Sequence, residues 1–257
     1  MNAQETWVAF LTIVIREVRR FTRIWVQTLL PPAITMALYF VIFGNLIGSR
    51  IGAMGGYDYM QYIVPGLVMM AVITNAYANV VSSFYSIKFQ HSIEELLVSP
   101  VPNYVILTGF VAGGVLRGLM VGAIVTLLSL FFTHLSVHHV GIMLLVVTLT
   151  AVVFSLGGFI NAIYATSFDD ISIVPTFILT PLTYFGGVFY SINLLPPFWQ
   201  AVSLANPIVY MVNAFRYGIL GVSDVGVGIS IGMLVLFSVG LSVWAMTLLN
   251  RGTGIRK

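Results

Sequence analysis

Cysteine is absent from this 257-residue chain, and charged residues are scarce. The absence of cysteine excludes disulfide bonds and thiolate metal sites. Aspartate, glutamate, lysine and arginine make up only 7% of the residues, whereas soluble domains contain about 25%. Residues 24–49 and 171–215 carry no charge, and each run exceeds the roughly 20 apolar residues that cross a bilayer as a helix. The sequence therefore predicts an all-α polytopic membrane protein.

Lysine occurs only twice, and neither lysine lies in a phosphate-binding loop. Lys88 is followed by Phe89, and Lys257 ends the sequence, whereas such a loop needs a glycine-rich run that ends in Lys-Ser or Lys-Thr. His-Glu-x-x-His and Gly-x-Ser-x-Gly are also absent, which argues against a zinc protease and a serine hydrolase. We therefore expect no ATP hydrolysis by this chain, no other enzymatic activity and no cofactor bound by it.

The histidines and the basic residues indicate neither a metal site nor a nucleic-acid site. His134 and His138 would lie one turn apart on a helix, but the sequence offers no carboxylate or thiol nearby, so a solvated loop is favoured. The isoelectric point of about 9.2 reflects basic residues at predicted membrane edges, where the positive-inside rule puts them. We therefore expect no metal and no nucleic acid as partners.

Six membrane spans are predicted from the apolar segments. They cover residues 24–48, 61–85, 104–132, 140–166, 171–190 and 226–250. Residues 191–220 are also apolar, but they are interrupted by Asn193, Pro196, Pro197, Asn206 and Pro207. Since both termini are basic and should be cytoplasmic, the number of crossings must be even. Residues 191–220 are therefore predicted to enter the membrane from the outer side and return, under a cover of protein.

The basic residues predict the orientation of these spans. Eight of them fall on the predicted cytoplasmic side: Arg16, Arg19, Arg20, Arg23, Lys88, Arg251, Arg256 and Lys257. Arg50 and Arg216 fall outside, and Arg117 falls within a span. Residues 1–23 are predicted to form an amphipathic helix on the cytoplasmic lipid surface. Residues 24–250 form the transmembrane domain, and residues 251–257 form a cytoplasmic tail.

Residues 86–103 form the longest polar-containing stretch between two apolar runs. A short helix with one apolar stripe is predicted from the spacing of Phe89, Ile93, Leu96 and Leu97. Glu94 and Glu95 lie off this stripe, as docking charges or as a solvated face. Such a helix either lies on lipid or presses into a partner protein, and we favour the partner. Asp169 and Asp170 either complement the dipole of the helix that they open or contact the same partner.

Polar residues inside the predicted spans are candidates for a substrate pathway. One polar stripe on the second span consists of Asn75, Asn79, Ser82 and Ser83. The stripe either lines a pathway or makes hydrogen bonds between helices, which contribute roughly 0.6 kcal/mol each. Arg117 is the one full charge deep in a span. It contacts an anionic substrate or a gating partner, or it extends toward the membrane edge.

Two segments resemble the ABC-2 family of export permeases, the membrane subunits of ATP-binding cassette transporters. Residues 93–109, IEELLVSPVPNYVILTG, are similar to the family's Glu-x-Leu-Leu-x-x-Pro-Val run. Residues 181–221 are similar to its Gly-Val-Phe-Tyr…Leu-Pro…Asn-Pro…Tyr…Arg ending. With six predicted spans and a matching length, the resemblance covers nearly the whole chain.

The resemblance implies a division of labour between two kinds of subunit. Residues 86–103 would contact a separate ABC ATPase subunit, which binds ATP and Mg²⁺, and residues 167–170 would form a second, smaller contact. Residues 191–220 would be paired outer re-entrant helices. The working unit would be a homodimer of the permease with two ATPases in the bacterial inner membrane, and its direction of transport would be export.

The sequence thus predicts the membrane-spanning subunit of an ATP-driven exporter for a hydrophobic or amphipathic substrate, such as a drug, a lipid or a lipid-linked glycan. The predicted ATPase-coupling residues are Phe89, Ile93, Glu94, Glu95, Leu96, Leu97, Asp169 and Asp170. The predicted pathway residues are Asn75, Asn79, Ser82 and Arg117, with Phe185, Phe189 and Tyr190 near the outer end. The alternative is an ion-coupled secondary transporter, which needs a buried carboxylate, and the predicted spans hold none away from their ends.

Overall fold

The computed structural model describes residues 2–93 and 98–254, and nearly all of their regular structure is helical. Four predicted coupling residues lie outside the described residues: Glu94, Glu95, Leu96 and Leu97. In the described part, strand pairing is confined to a short antiparallel hairpin of β1 (Ala53–Met54) and β2 (Tyr57–Asp58).

The described helices fall into long membrane-length helices and short connecting ones. They are α1 (Ala3–Arg23), α2 (Trp25–Thr28), α3 (Leu30–Tyr39), α4 (Gly48–Ile51), α5 (Tyr59–Phe89), α6 (Asn103–Ser129), α7 (Val140–Tyr164), α8 (Asp170–Ile173), α9 (Thr180–Tyr184), α10 (Pro197–Leu204), α11 (Pro207–Leu220) and α12 (Val227–Arg251). Wider π-helical turns join α3 to α4 (Phe40–Ile47) and α8 to α9 (Val174–Leu179), and a 3₁₀ turn covers Ile192–Leu194.

Five helical segments of the described chain are long and apolar enough to cross a membrane. They are Trp25–Gly44, Tyr59–Phe89, Asn103–Ser129, Val140–Tyr164 and Val227–Arg251. These segments coincide with the first four predicted spans and with the last. The chain is therefore a helical, multi-pass membrane protein.

The predicted fifth span, residues 171–190, is shorter and less regular than the others. Residues 170–184 are helical, which at 1.5 Å per residue gives about 22 Å, against roughly 30 Å for the bilayer core. Pro175 and Pro181 lack amide protons, and the amide of Thr180 donates to the carbonyl of Pro175 five residues earlier, which widens the turn. The sixth crossing and the re-entry of residues 191–220 stay predictions.

Helix α5 is the centre of the fold, and most of its side chains are buried on every side. Helices α6 and α7 flank it, and α1 packs along α6. The ring of Phe84 on α5 lies 5.2 Å from Phe110 of α6 and 4.2 Å from Phe159 of α7. The segment Trp25–Gly44 and helix α12 are mostly exposed, which leaves them for contact with lipid or another subunit.

Residues 191–220 fold as α10 and α11, and α11 packs between α5, α7 and α12. Pro207 occupies the first position of α11, and the Asn206 side chain accepts a hydrogen bond from the Ile208 amide, an arrangement that begins helices efficiently. Arg216, which the charge count assigns to the outer side of the membrane, lies within α11 and is only 1% exposed. Helix α11 is therefore surrounded by protein on most of its faces.

Candidate functional site

The predicted polar stripe lies on the side of α5 that meets α1 and α6. Asn75, Asn79 and Ser83 are four residues apart, so they stack along one face of the helix, and all three are buried. Ser82 lies beside this row, and its hydroxyl donates to the Ala78 carbonyl of the same helix at 2.7 Å. The buried row therefore consists of Asn75, Asn79 and Ser83.

A buried carboxylate joins this row to α1. The side chain of Glu17 is 1% exposed, and its two oxygens accept from Ser83 Oγ at 2.6 Å and Arg20 Nη2 at 3.2 Å. Arg20 Nη2 also donates to Oδ1 of Asn79 at 2.8 Å and to its backbone carbonyl at 2.9 Å. Arg16, which is half exposed, approaches Glu17 at 3.5 Å. This pairing compensates the cost of taking the carboxylate out of water.

Arg117 of α6 extends the same set of contacts along α5. Its Nη2 donates to Asn75 Oδ1 at 3.3 Å and to the Thr28 carbonyl of α2 at 3.3 Å. We call these residues the α1–α5–α6 network: Glu17, Arg20, Asn75, Asn79, Ser83 and Arg117. The predicted pathway residues Asn75, Asn79 and Arg117 are thus brought together.

The close packing of α1 on α6 depends on Gly113. A Cβ atom at this position would lie 2.6 Å from Cβ of Glu17, a distance that atoms of a real side chain do not reach. Ile13 and Glu17 meet Gly109 and Gly113 in the same order, so α1 and α6 run side by side in the same chain direction. Small residues that let helices approach are a common feature of membrane proteins.

Glu17 and Arg20 are network residues that sequence reasoning missed. Glu17 stands among four arginines, so the segment has the pattern of a charged surface helix. The signal lay in the spacing of Ile13, Glu17 and Phe21, because these three are the buried residues of α1. Exposed apolar residues of α1, such as Trp7, remain available to lipid. The position of α1 on the lipid surface stays a prediction.

The two predicted coupling segments meet through aromatic side chains. The ring of Phe168 lies 4.9 Å from Tyr85 and 5.0 Å from Phe89. Phe89 is 59% exposed and Phe168 is 51% exposed. Helix α5 ends at Phe89, and His91 adopts a φ of 59°. Ile93 is buried whereas Phe89 is exposed, so these two residues of the predicted apolar stripe do not lie on one helix face.

Lys88 fixes the turn that carries Phe168 to the end of α5. Its Nζ donates to the carbonyls of Ile163 at 2.6 Å and Ala165 at 2.7 Å, which are free carbonyls at the C-terminal end of α7. Asp170 closes the same turn, because its carboxylate accepts from the amide and the hydroxyl of Thr166. These hydrogen bonds hold the pKa of Asp170 well below its usual range, while Asp169 is exposed.

The predicted outer pathway residues lie near the other end of α5. The ring of Phe189 lies 4.6 Å from Phe43, and Tyr39 and Tyr184 are also in contact with it. Phe185 instead stacks on Trp199 at 5.8 Å, and Tyr190 is half-buried. A Cβ atom at Gly66 would lie 2.5 Å from the Val188 carbonyl, so residues 185–190 pass directly against α5.

Arg216 ties this outer segment to α11 and α5. Its Nη2 donates to the Gly187 carbonyl at 2.6 Å, and its Nε donates to the Tyr62 carbonyl at 3.3 Å. The guanidinium lies 4.0 Å from the centre of the Tyr62 ring. Asp224 completes the arrangement, since its carboxylate accepts from the Ser191 hydroxyl and the Ile192 amide. The arrangement fixes the turn at Gly187, whose φ is 71°.

Within residues 2–93 and 98–254, no three histidine, aspartate or glutamate side chains come together as ligands for a metal ion. His134 contributes its backbone carbonyl to Gln61. The amide of His138 donates to the Ile219 carbonyl at 3.0 Å. The histidine loop therefore packs against α5 and α11 through its backbone.

Sequence comparisons relate the chain to a known transporter family. A sequence profile of the ABC-2 type transporter matches residues 8–220. The chain is 61% identical over 250 residues to the inner membrane transport permease YadH of Escherichia coli (strain K12), a match that covers 97% of this chain and 98% of that protein. It is 23% identical over 215 residues to nodulation protein J of Rhizobium meliloti (strain 1021), covering 83% of this chain and 82% of that protein. The chain therefore belongs to the ABC-2 type transporter family of membrane permeases.

Proposed function

We propose that this chain is the membrane-spanning permease subunit of an ATP-driven exporter. It would act in a bacterial inner membrane, like the inner membrane transport permease of Escherichia coli that it resembles, with both termini in the cytoplasm. The observation that carries the proposal is the exposed aromatic surface of Phe89 and Phe168, which joins the two segments assigned to ATPase contact. An exposed aromatic pair is typical of a protein-binding hot spot.

The partner would be a separate ABC ATPase, which binds ATP and Mg²⁺. Two permease subunits would form a homodimer, and each would carry one ATPase. The mostly exposed segment Trp25–Gly44 and helix α12 offer apolar surface for lipid and for the second subunit. The substrate would be hydrophobic or amphipathic, such as a drug, a lipid or a lipid-linked glycan.

Motion of the ATPase would reach the membrane part through Phe89 and Lys88. Phe89 is the last residue of α5, and Lys88 holds the end of α7 through two carbonyls. A push on this surface would therefore move α5 and α7 together, and α5 carries Asn75 and Asn79 of the network. The pathway would continue to Phe189 near the outer end.

Serine substitution of the aromatic surface should release the ATPase. We expect Phe89→Ser combined with Phe168→Ser to weaken association about tenfold or more, because two exposed aromatic contacts are lost. The measurement is the amount of ABC ATPase that co-purifies with a tagged permease from its native membrane. Phe131→Ser is the matched control. Phe131 is 85% exposed, but it follows the C-terminal end of α6, away from the proposed docking surface. Equal ATPase recovery from the double variant and the control would refute the proposed docking surface.

Substitution of Lys88 should separate docking from transport. We expect Lys88→Met to retain the ATPase but to lower ATP-driven substrate movement about fivefold or more, because two charge-assisted hydrogen bonds to α7 disappear. ATPase recovery and transport in inverted vesicles would be measured on the same preparation. Normal transport by Lys88→Met would show that α7 is not driven through this contact.

An ion-coupled secondary transporter is the second candidate, because Glu17 provides a buried carboxylate. Such a transporter needs a carboxylate that changes its ionic partner during the cycle. Glu17 is already held by Arg20 and Ser83, which favours a structural role. Substrate movement in vesicles that have an ion gradient but no ATP would support this alternative, and movement that needs ATP would exclude it.

A further inference from the structure

The α1–α5–α6 network contains polar donors that lack an acceptor. Among residues 2–93 and 98–254, this holds for Nε of Arg20, Nε of Arg117 and Nδ2 of Asn79, all of which are buried. Asn79 is 0% exposed. Both guanidinium groups make their hydrogen bonds through Nη2. Buried polar groups in native proteins nearly always have partners, so three such donors in one place point to a missing acceptor.

The network also has a surplus positive charge. Glu17 carries one negative charge, whereas Arg20 and Arg117 carry two positive charges. The ion pairs of the described chain join Glu17 to Arg20 and to the half-exposed Arg16, so Arg117 has no carboxylate partner there. A lone cation at membrane depth is strongly unfavourable without a counter-charge. An anion bound here would balance this charge and would also supply the missing acceptors.

We infer that the network binds the phosphate group of an anionic amphiphile. Arg20 and Arg117 contact Asn79 and Asn75, which lie one turn apart, about 6 Å along the axis of α5. A phosphate bound along this face of α5 would therefore have one guanidinium group within reach at each of these two levels. Phosphate oxygens accept several N–H groups at once, and arginine is the side chain best suited to donate them. The Arg20 side chain is 33% exposed, so part of this guanidinium-bearing side chain lies at the protein surface, where a headgroup would approach.

This inference deepens the proposed function, and it rests on that function only for the statement that the bound amphiphile is transported. Arg117 lies fourteen residues into α6, about 21 Å from its first residue. A phosphate at that level is drawn into the protein and does not remain among the surface headgroups. The binding measurement needs neither ATPase nor transport. Failure of binding therefore refutes the phosphate site and leaves the exporter proposal standing. If no ATPase co-purifies with the wild-type permease, the exporter proposal fails and the phosphate site stands.

The test is a titration of the purified full-length permease in detergent. The probes are dihexanoyl phosphatidylglycerol, which is anionic, dihexanoyl phosphatidylcholine, which is zwitterionic, and inorganic phosphate. We expect saturable binding of the anionic lipid, with Kd raised about tenfold by Arg117→Gln and by Arg20→Gln, since each removes charge-assisted donors. Arg19→Gln is the matched control, because Arg19 is an exposed arginine of the same helix, and its Kd should change less than twofold.

If the arginine variants do not fold, a second variant still tests the inference. Asn75→Asp places a carboxylate next to Arg117 and supplies the anion internally, so this variant should fold well and lose binding of the anionic lipid. Inorganic phosphate that binds with the same dependence on Arg117 would support the site and identify free phosphate as sufficient. Equal affinity for the two lipids, or equal effects of Arg117→Gln and Arg19→Gln, would overturn the inference.

Discussion

Replacement of Arg216 by methionine is expected to destabilise the protein by about 3–5 kcal/mol, because two hydrogen bonds from a charged group, each contributing about 1.5–3 kcal/mol, are lost. Methionine retains the apolar stem but removes every donor. The carbonyls of Gly187 and Tyr62 would then lose the hydrogen bonds that the guanidinium donates. The face of Tyr62 would also lose the guanidinium that lies 4.0 Å from its centre.

Arg216→Lys is the informative companion variant. A lysine retains the charge, but its single ammonium cannot lie flat on Tyr62 while it reaches two carbonyls in different directions. We therefore expect Arg216→Lys to lower the free energy of unfolding, but by less than Arg216→Met does. The free energy of unfolding would be measured by titration with a denaturing detergent in mixed micelles. Arg50→Met, at an exposed arginine, should change it by less than about 0.5 kcal/mol. A methionine variant as stable as this control would show that Arg216 does not hold the outer segment.

The contrast between Arg216 and the long helices explains what could be predicted from sequence. Segments such as residues 140–164 are recognised because a membrane helix needs only length and apolar side chains, and α7 follows that run closely. The position of Arg216 depends on backbone carbonyls of Gly187 and Tyr62, which no side-chain pattern reveals. Counting charges assigned Arg216 to the outer side of the membrane, which stays a prediction, but it did not reveal that protein surrounds the side chain.

In the coupling region, too, the sequence pattern predicted the residues involved but not their contacts. The aromatic residues Phe89 and Phe168 are 79 positions apart in the sequence, and their contact requires that α5 and α7 end at the same level. Helix periodicity assigned Phe89 and Ile93 to one stripe, but the positive φ of His91 separates them. Local periodicity does not include such a break, because a non-glycine residue rarely adopts this conformation.

The residues of the polar network on α5 and α6 could be predicted from the sequence, but those on α1 could not. The spacing of Asn75, Asn79 and Ser83 marks a polar face on α5, and the charge of Arg117 marks a point on α6. Asn79 and Ser83 meet α1 through Arg20 and Glu17, and the approach of α1 to α6 depends on Gly113. Since a glycine in a membrane helix has many explanations, the position of Glu17 follows only from the packed structure.

Replacement of Glu17 by alanine is the second change from which we expect a large effect, about 2–4 kcal/mol of destabilisation. Arg20 would lose its carboxylate and the hydroxyl of Ser83 would lose its acceptor. The expected value lies below the full range for a buried pair because Arg20 is one third exposed. The loss should also draw α1 away from Gly113, since Glu17 fills the space there.

A double-mutant cycle with Arg20 distinguishes the ion pair from simple packing. Glu17→Gln alone leaves two cations without an anion, whereas Glu17→Gln with Arg20→Gln removes one cation as well. We therefore expect the double variant to be more stable than the sum of the single changes predicts, by at least about 1 kcal/mol. Phosphatidylglycerol should stabilise Glu17→Gln more than it stabilises the wild type, because an added anion would replace the missing carboxylate. Additive effects in the cycle, together with no response to the anionic lipid, would mean that α1 is held by its apolar contacts, with Ile13 and Phe21 carrying the packing and the network charges contributing nothing to it.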